Sequence, residues 1–93
     1  MELYTFIMDF RGGTYISQVS AADLYSAEQI WAATLEIDEI QYLGLKIQKQ
    51  IIELLNEEDE VPDAINETRN VWTHRLISKA GIHRLHIIKT AIT

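Results

Sequence analysis

The chain has 93 residues, 47% of them apolar and 24% charged, with a formal net charge of −6. This is the composition of a globular protein, not of a disordered one, and the negative balance argues against a surface that binds nucleic acid all over. No cysteine is present, which excludes disulfides and thiolate zinc sites and suits a reducing compartment such as the cytoplasm. The length suits one domain, residues 1–93. The opening MELYTFIMDF lacks a basic segment followed by an apolar core and a cleavage site, so it does not read as a signal peptide. No apolar run approaches the roughly 18 residues that a membrane-spanning helix needs.

Residues Leu3 to Phe10 alternate, with Tyr4, Phe6, Met8 and Phe10 on one side and Leu3, Thr5, Ile7 and Asp9 on the other. A period of two with aromatic and β-branched content predicts a strand. Gly12-Gly13 follows and can take the positive φ angles of a two-residue hairpin turn. The returning strand, Tyr15 to Ser20, then sets Phe10 against Tyr15, Met8 against Ser17 and Phe6 against Val19. The face carrying those aromatics is expected to be core.

Tyr25 to Ile30 reads as a helix start. Ser26 is the expected cap and Gln29 its reciprocal partner, with Tyr25 and Ile30 as a hydrophobic staple. Ala27, Ile30, Trp31, Thr34 and Leu35 form the expected inward stripe. The same signature recurs at Ile37 to Tyr42, with Asp38 as cap, so a break is placed near Ile37; one long bent helix is the alternative. A second stripe of Ile40, Leu43, Ile47, Ile51, Leu54 and Leu55 carries the helix onward. Gly44 lies within it, at a cost of about 1 kcal/mol against alanine and with room for another backbone to approach. The run Glu57-Glu58-Asp59-Glu60 opposes the helix dipole, so the helix is expected to stop by about Glu57. Residues 57–69 are expected to be a solvated loop with room for one helical turn after Pro62.

Val71 to Ser78 and Ile82 to Ala91 are both strand-like. A turn at Ala80-Gly81 sets Ser78 against His83, Leu76 against Leu85 and His74 against Ile87. Trp72, His74, Leu76, His83, Leu85 and Ile87 are assigned to the core face. Arg75, Ile77, Ile82, Arg84, His86 and Ile88 are assigned outward, with Ile77 expected across the ladder from Arg84. The fold class is therefore α+β in the order β-β-α-α-β-β: a four-stranded antiparallel sheet with two helices packed on one face.

Charge is unevenly spread. The balance is −11 through Thr68 and +5 thereafter, and all three histidines lie in the second part. Arg75, Arg84 and His86 offer donors for a carboxylate or phosphate; the bland alternative is that they keep an exposed sheet face solvated or pair with the acidic loop. Interleaved Ile77, Ile82 and Ile88 turn the face into the mixture of apolar side chains and arginine that protein contacts enrich. His83 and His86, three apart on a strand, point to opposite faces and cannot share a metal ion. The acidic run lacks the alternation and central glycine of a calcium loop. No nucleophile motif, phosphate-binding glycine loop, metal site or cofactor signature stands out. The expected function is that of a non-enzymatic protein-interaction module using the basic C-terminal hairpin face, with a protein partner or a second copy (a homodimer). The alternative is a nucleic-acid-binding protein or small metal-independent ribonuclease built on Arg75, Arg84 and His86.

Overall fold

In a computed structural model, described for residues 1–90, the elements run β1 (Glu2–Phe10), β2 (Gly13–Ala21), α1 (Leu24–Ala33), α2 (Gly44–Leu55), β3 (Asp63–Ala64), β4 (Val71–Ser78) and β5 (Gly81–Thr90). The class is α+β, as expected, with two helices and an antiparallel sheet. The sheet has five strands, not four, in the order β2-β1-β5-β4-β3. Both hairpins are therefore joined through β1 and β5, which pair in the middle. α1 packs mainly on β2 and β1, and α2 on β4, so both helices cover the same face. The expected last strand residue, Ala91, lies outside the described residues. Among those described, no helix is long and apolar enough to cross a membrane.

The alternation along β1 does what its period requires: Tyr4, Phe6, Met8 and Phe10 are all buried. Phe6 stacks on Trp31 of α1 at 5.4 Å, which ties strand to helix. The turn, however, is Arg11-Gly12, with φ of 48° and 81°, and Gly13 opens β2 opposite Phe10. The ladder is thus two residues from the expected register, and Met8 meets Tyr15. A shift of two keeps every side chain on its face. Two observations explain the choice among Arg11, Gly12 and Gly13. Tyr15 lies over Gly13, where an added Cβ would come within 2.6 Å of its hydroxyl. Arg11 carries the positive φ, a cost offset by a hydrogen bond from its Nε to the Ala80 carbonyl at 2.8 Å and by its position 4.5 Å over the Tyr42 ring.

The second hairpin shifts in the same way. Its turn is Lys79-Ala80, Ser78 pairs with Gly81, and Leu76 meets His83. Gly81 takes the positive φ, 127°. The short β3 stands in the expected loop, where the sequence left room for a helical turn after Pro62. Proline biases Val61 towards extended backbone, and Asp63 and Ala64 then pair with Thr73 and Trp72 on the open side of β4.

The helices differ from expectation at their starts. The cap of α1 is Asp23, whose carboxylate accepts from the Ser26 amide at 2.8 Å, so the helix begins three residues earlier. Its buried side is Ala27, Glu28, Trp31 and Ala32, leaving Ile30 and Thr34 outside. The break between helices is a longer turn segment, with positive φ at Tyr42 and Gly44, and α2 starts at Gly44 instead of near Asp38. Gly44 supplies that backbone angle; among the described residues beyond its chain neighbours, nothing lies within 4 Å of where a Cβ would stand, so the close backbone approach expected there is not seen. Ile40, Leu43, Ile51 and Leu55 are buried as expected, and α2 ends before the acidic run. Each helix also satisfies the other's free carbonyls. Gln48 of α2 donates to the Ala32 carbonyl at 2.9 Å, and Gln29 of α1 donates to the Leu55 carbonyl at 3.2 Å.

The two caps make separable predictions. Asp23→Ala is expected to destabilise the fold by about 1 kcal/mol in urea denaturation, and Ser26→Ala to change it by less than about 0.5 kcal/mol. The reverse order would place the helix start at Ser26.

Candidate functional site

Among the described residues, nothing covers the face of the sheet away from the helices. Its central strand, β5, presents Ile82, Arg84, His86 and Ile88 there, and β4 adds Arg75 and Ile77. All six residues singled out from the sequence therefore share one surface. Ile77 is 57% exposed and Ile82 38%. The register changes their neighbours. Arg84 lies directly across from Arg75 on one side and from Asp9 of β1 on the other, while Ile77 faces Ile82. The expectation that Ile77 would sit opposite Arg84 is corrected by the two-residue shift of the turn. His86 stands between Ile7 and Thr73, and Ile88 between Thr5 and Val71. Among the described residues no carboxylate lies within 4 Å of either guanidinium. Asp9 instead accepts from the Thr14 hydroxyl at 2.7 Å. Two like charges set side by side on a strand pair repel, and Asp9, directly across from Arg84 on its other side, offsets part of that cost.

The covered face holds the other two histidines. His74 of β4 lies between two carboxylates: its Nδ1 is 2.6 Å from Glu28 of α1 and its Nε2 3.1 Å from Glu60. Burial alone disfavours the imidazolium, but the hydrogen bond and charge of Glu28, reinforced by those of Glu60, reverse this and raise the pKa above its ordinary value. Both ring nitrogens then donate, and the acidic run is not wholly a solvated tether, because Glu60 docks on the core. The sequence expectation missed this cluster, having left Glu28 off the inward stripe. A signal existed: Leu24, Glu28, Ala32 and Leu35 are spaced as a helix face, and His74 sits at an inward strand position. A buried acid and a buried base are each improbable alone and plausible as a pair.

His83 is fully buried and stacked on Phe10 at 4.3 Å. Its Nε2 is 2.7 Å from the Ser78 hydroxyl, which also accepts from the Ala80 amide at 3.1 Å. Its Nδ1 has no partner among the described residues. The tautomer with the proton on Nε2, donating to Ser78, leaves only a lone pair unsatisfied and is the cheaper one. Burial lowers the His83 pKa to about 4. A serine–histidine pair in this state is a poor nucleophile–base unit, since the ring holds its proton towards the hydroxyl and no third group orients it. Histidines 83 and 86 point to opposite faces as expected. Among the described residues, no group of three metal-ligating side chains is placed to hold an ion.

Comparison with protein-family models, with curated proteins and with solved structures finds no match to this chain.

The two buried histidines are expected to titrate in opposite senses. His83, with its folded pKa depressed, stabilises the fold above the unfolded value of about 6.5 and loses that contribution as pH falls towards about 4. His74, with its folded pKa raised, contributes fully below about 6.5 and loses its contribution as pH rises through the raised value. Ring resonances followed by NMR are expected to show His83 neutral at pH 5 and His74 still charged above about pH 6.5. A neutral His74 at pH 6 would contradict the two-carboxylate arrangement.

Proposed function

We propose that the protein is a non-enzymatic interaction module whose contact surface is the uncovered sheet face, and that a second copy of the chain is its first partner. One observation carries this reading: a sheet five strands wide is covered on one side only, and the other side sets exposed isoleucines around Arg75 and Arg84. An exposed apolar patch rimmed by polar groups is a usual mark of an interface. The face is locally balanced in charge, because Asp9 and Asp63 share it with the two arginines. Most acidic side chains lie instead on the helices and loops, a layer of about 10 Å away, comparable with the Debye length at moderate salt. Their repulsion across such an interface is therefore largely screened. A two-fold axis along the strands, between β1 and β5, would set Asp9 of each copy against Arg84 of the other. A cysteine-free chain is compatible with work in the cytoplasm.

A second reading keeps one observation in its favour. Arg75 and Arg84 are adjacent across the ladder, with no carboxylate bound among the described residues, which is a fork suited to a phosphate of nucleic acid. Salt separates the two readings. Phosphate binding falls steeply as salt rises, while an apolar interface does not.

Arg84→Ala is expected to leave stability within about 0.5 kcal/mol of wild type, because the side chain is exposed, yet to weaken dimerisation at least about fivefold in sedimentation velocity. Wild-type protein that stays monomeric at millimolar concentration would overturn self-association. An Arg84→Ala variant that fails to fold would reverse the assignment of the face.

A further inference from the structure

The two edges of the sheet are built differently. β3, at one end, is two residues long, begins with an aspartate and follows Pro62. Short length, charge and proline are the usual means of protecting an edge. β2, at the other end, is nine residues long, about 30 Å at strand rise. Its sequence, GTYISQVSA, has no charged residue and no proline. Its register with β1 runs unbroken from Glu2–Ala21 to Phe10–Gly13, so it has no bulge. Nothing that usually discourages a further strand is present.

The hairpin geometry says which backbone groups are free. Phe10 and Gly13 close a two-residue turn and exchange both hydrogen bonds. Bonded and non-bonded pairs alternate from there. The N–H and C=O groups of Thr14, Ile16, Gln18 and Ser20 therefore point away from β1, and all four residues are exposed. Ile16 is 66% exposed.

A cleft of about 250 Å³ opens beside this edge on the helix side. Of its lining residues, Met8, Trp31 and Ile40 are buried and form an apolar floor, and Glu36 and Glu39 are exposed and so stand towards its mouth. Ser17 also lines it and is exposed although it points to the covered side, so the cleft reaches the edge itself. Cofactor and ligand pockets usually hold roughly 300–1,000 Å³; this one suits a single long side chain. An apolar floor below two carboxylates matches a side chain with an apolar stem and a cationic head. Neither carboxylate has a cationic partner among the described residues.

We propose that the free edge of β2 accepts an extended strand from another protein, and that a lysine or arginine of that strand seats in the cleft between Trp31 and the carboxylates of Glu36 and Glu39. Backbone pairing supplies affinity and the cleft supplies selectivity, the usual division of labour in strand addition. A second copy of this chain is a poor occupant. Its own β2 has no cation to offer, and it brings a net charge of −6 towards an acidic mouth. Thr14, Ile16, Gln18 and Ser20 turn their side chains to the uncovered face, but this contact uses their outward backbone groups and a cleft on the covered side, so each proposal has its own test.

The test uses blocked seven-residue peptides of alternating threonine and valine with arginine or glutamate at the centre, titrated into ¹⁵N-labelled protein. With the arginine peptide, the amide signals of Thr14, Ile16, Gln18 and Ser20 are expected to move, and peptide contacts to the Ile16 amide to appear. The glutamate peptide is expected to bind at least about tenfold more weakly, and Glu36→Gln with Glu39→Gln to remove that preference. Ile16→Pro, at an edge position whose N–H faces outward, is expected to abolish binding of both peptides. If it does not fold, the paired glutamine variants and the peptide contacts still decide. Unmoved β2 signals at millimolar peptide, equal affinity for the two peptides, or shifts confined to Arg75 and Arg84 would each overturn the proposal.

Discussion

Helices of ten and twelve residues span about 15 and 18 Å, enough to cover one face of a five-stranded sheet and no more. The chain invests its large apolar side chains accordingly. Phe6, Met8, Phe10, Leu76, Leu85 and Ile87 are fully or almost fully buried under Trp31, Ile51 and Leu55. The opposite face receives isoleucine, threonine and arginine in alternation with them. Because side chains alternate along a strand, a well-filled core on one side dictates which residues stand on the other. The uncovered face is thus a consequence of the same register that builds the core, and the placing of Arg75 and Arg84 side by side follows from where the β4–β5 turn falls.

The covered layer is pinned by polar contacts as well as by packing. Glu28 and Glu60 converge on His74, joining α1, the acidic loop and β4 at one point. A buried ion pair contributes little net stability, but loss of one partner is costly because the other is left without compensation. The cluster thereby ties α1 to β4 and to the acidic loop. Gln29 and Gln48 act similarly between the helices. At the far end of the sheet, Arg11 bridges the two hairpin tips through the Ala80 carbonyl. His83, sealed under Phe10 and held neutral, closes the core behind that bridge.

Much of this was legible in the amino-acid order, and the failures have physical causes. Alternation in Leu3–Phe10 and Val71–Ser78 identified both hairpins and every face correctly, because a period of two survives any even shift of register. The shift itself was not legible. Choosing among Arg11, Gly12 and Gly13 required knowing that Tyr15 folds over Gly13 and that Arg11 finds a carbonyl 69 residues away. The cap of α1 was misplaced because Ser26 and Asp23 both offer a side-chain oxygen, and only the end of β2 decides between them. β3 was invisible because two residues carry no period. Glu28 was absent from the expected inward stripe because its partner is 46 residues distant. That Arg75, Ile77, Ile82, Arg84, His86 and Ile88 share one sheet face was legible from alternation, whereas the β2 edge and its cleft need the strand order, which local pattern does not encode.

The central claim is that the uncovered face of the sheet is a contact surface and not a merely solvated one. Isoleucine δ-methyl groups labelled with ¹³C report on it directly, through relaxation enhancement by a neutral gadolinium chelate at low and at high protein concentration. The account predicts that Ile77 and Ile82 lose enhancement as concentration rises, while Ile30, 40% exposed on α1, stays accessible and Ile51 and Ile87 stay shielded throughout. Enhancement of Ile77 and Ile82 that is the same at every concentration would contradict it.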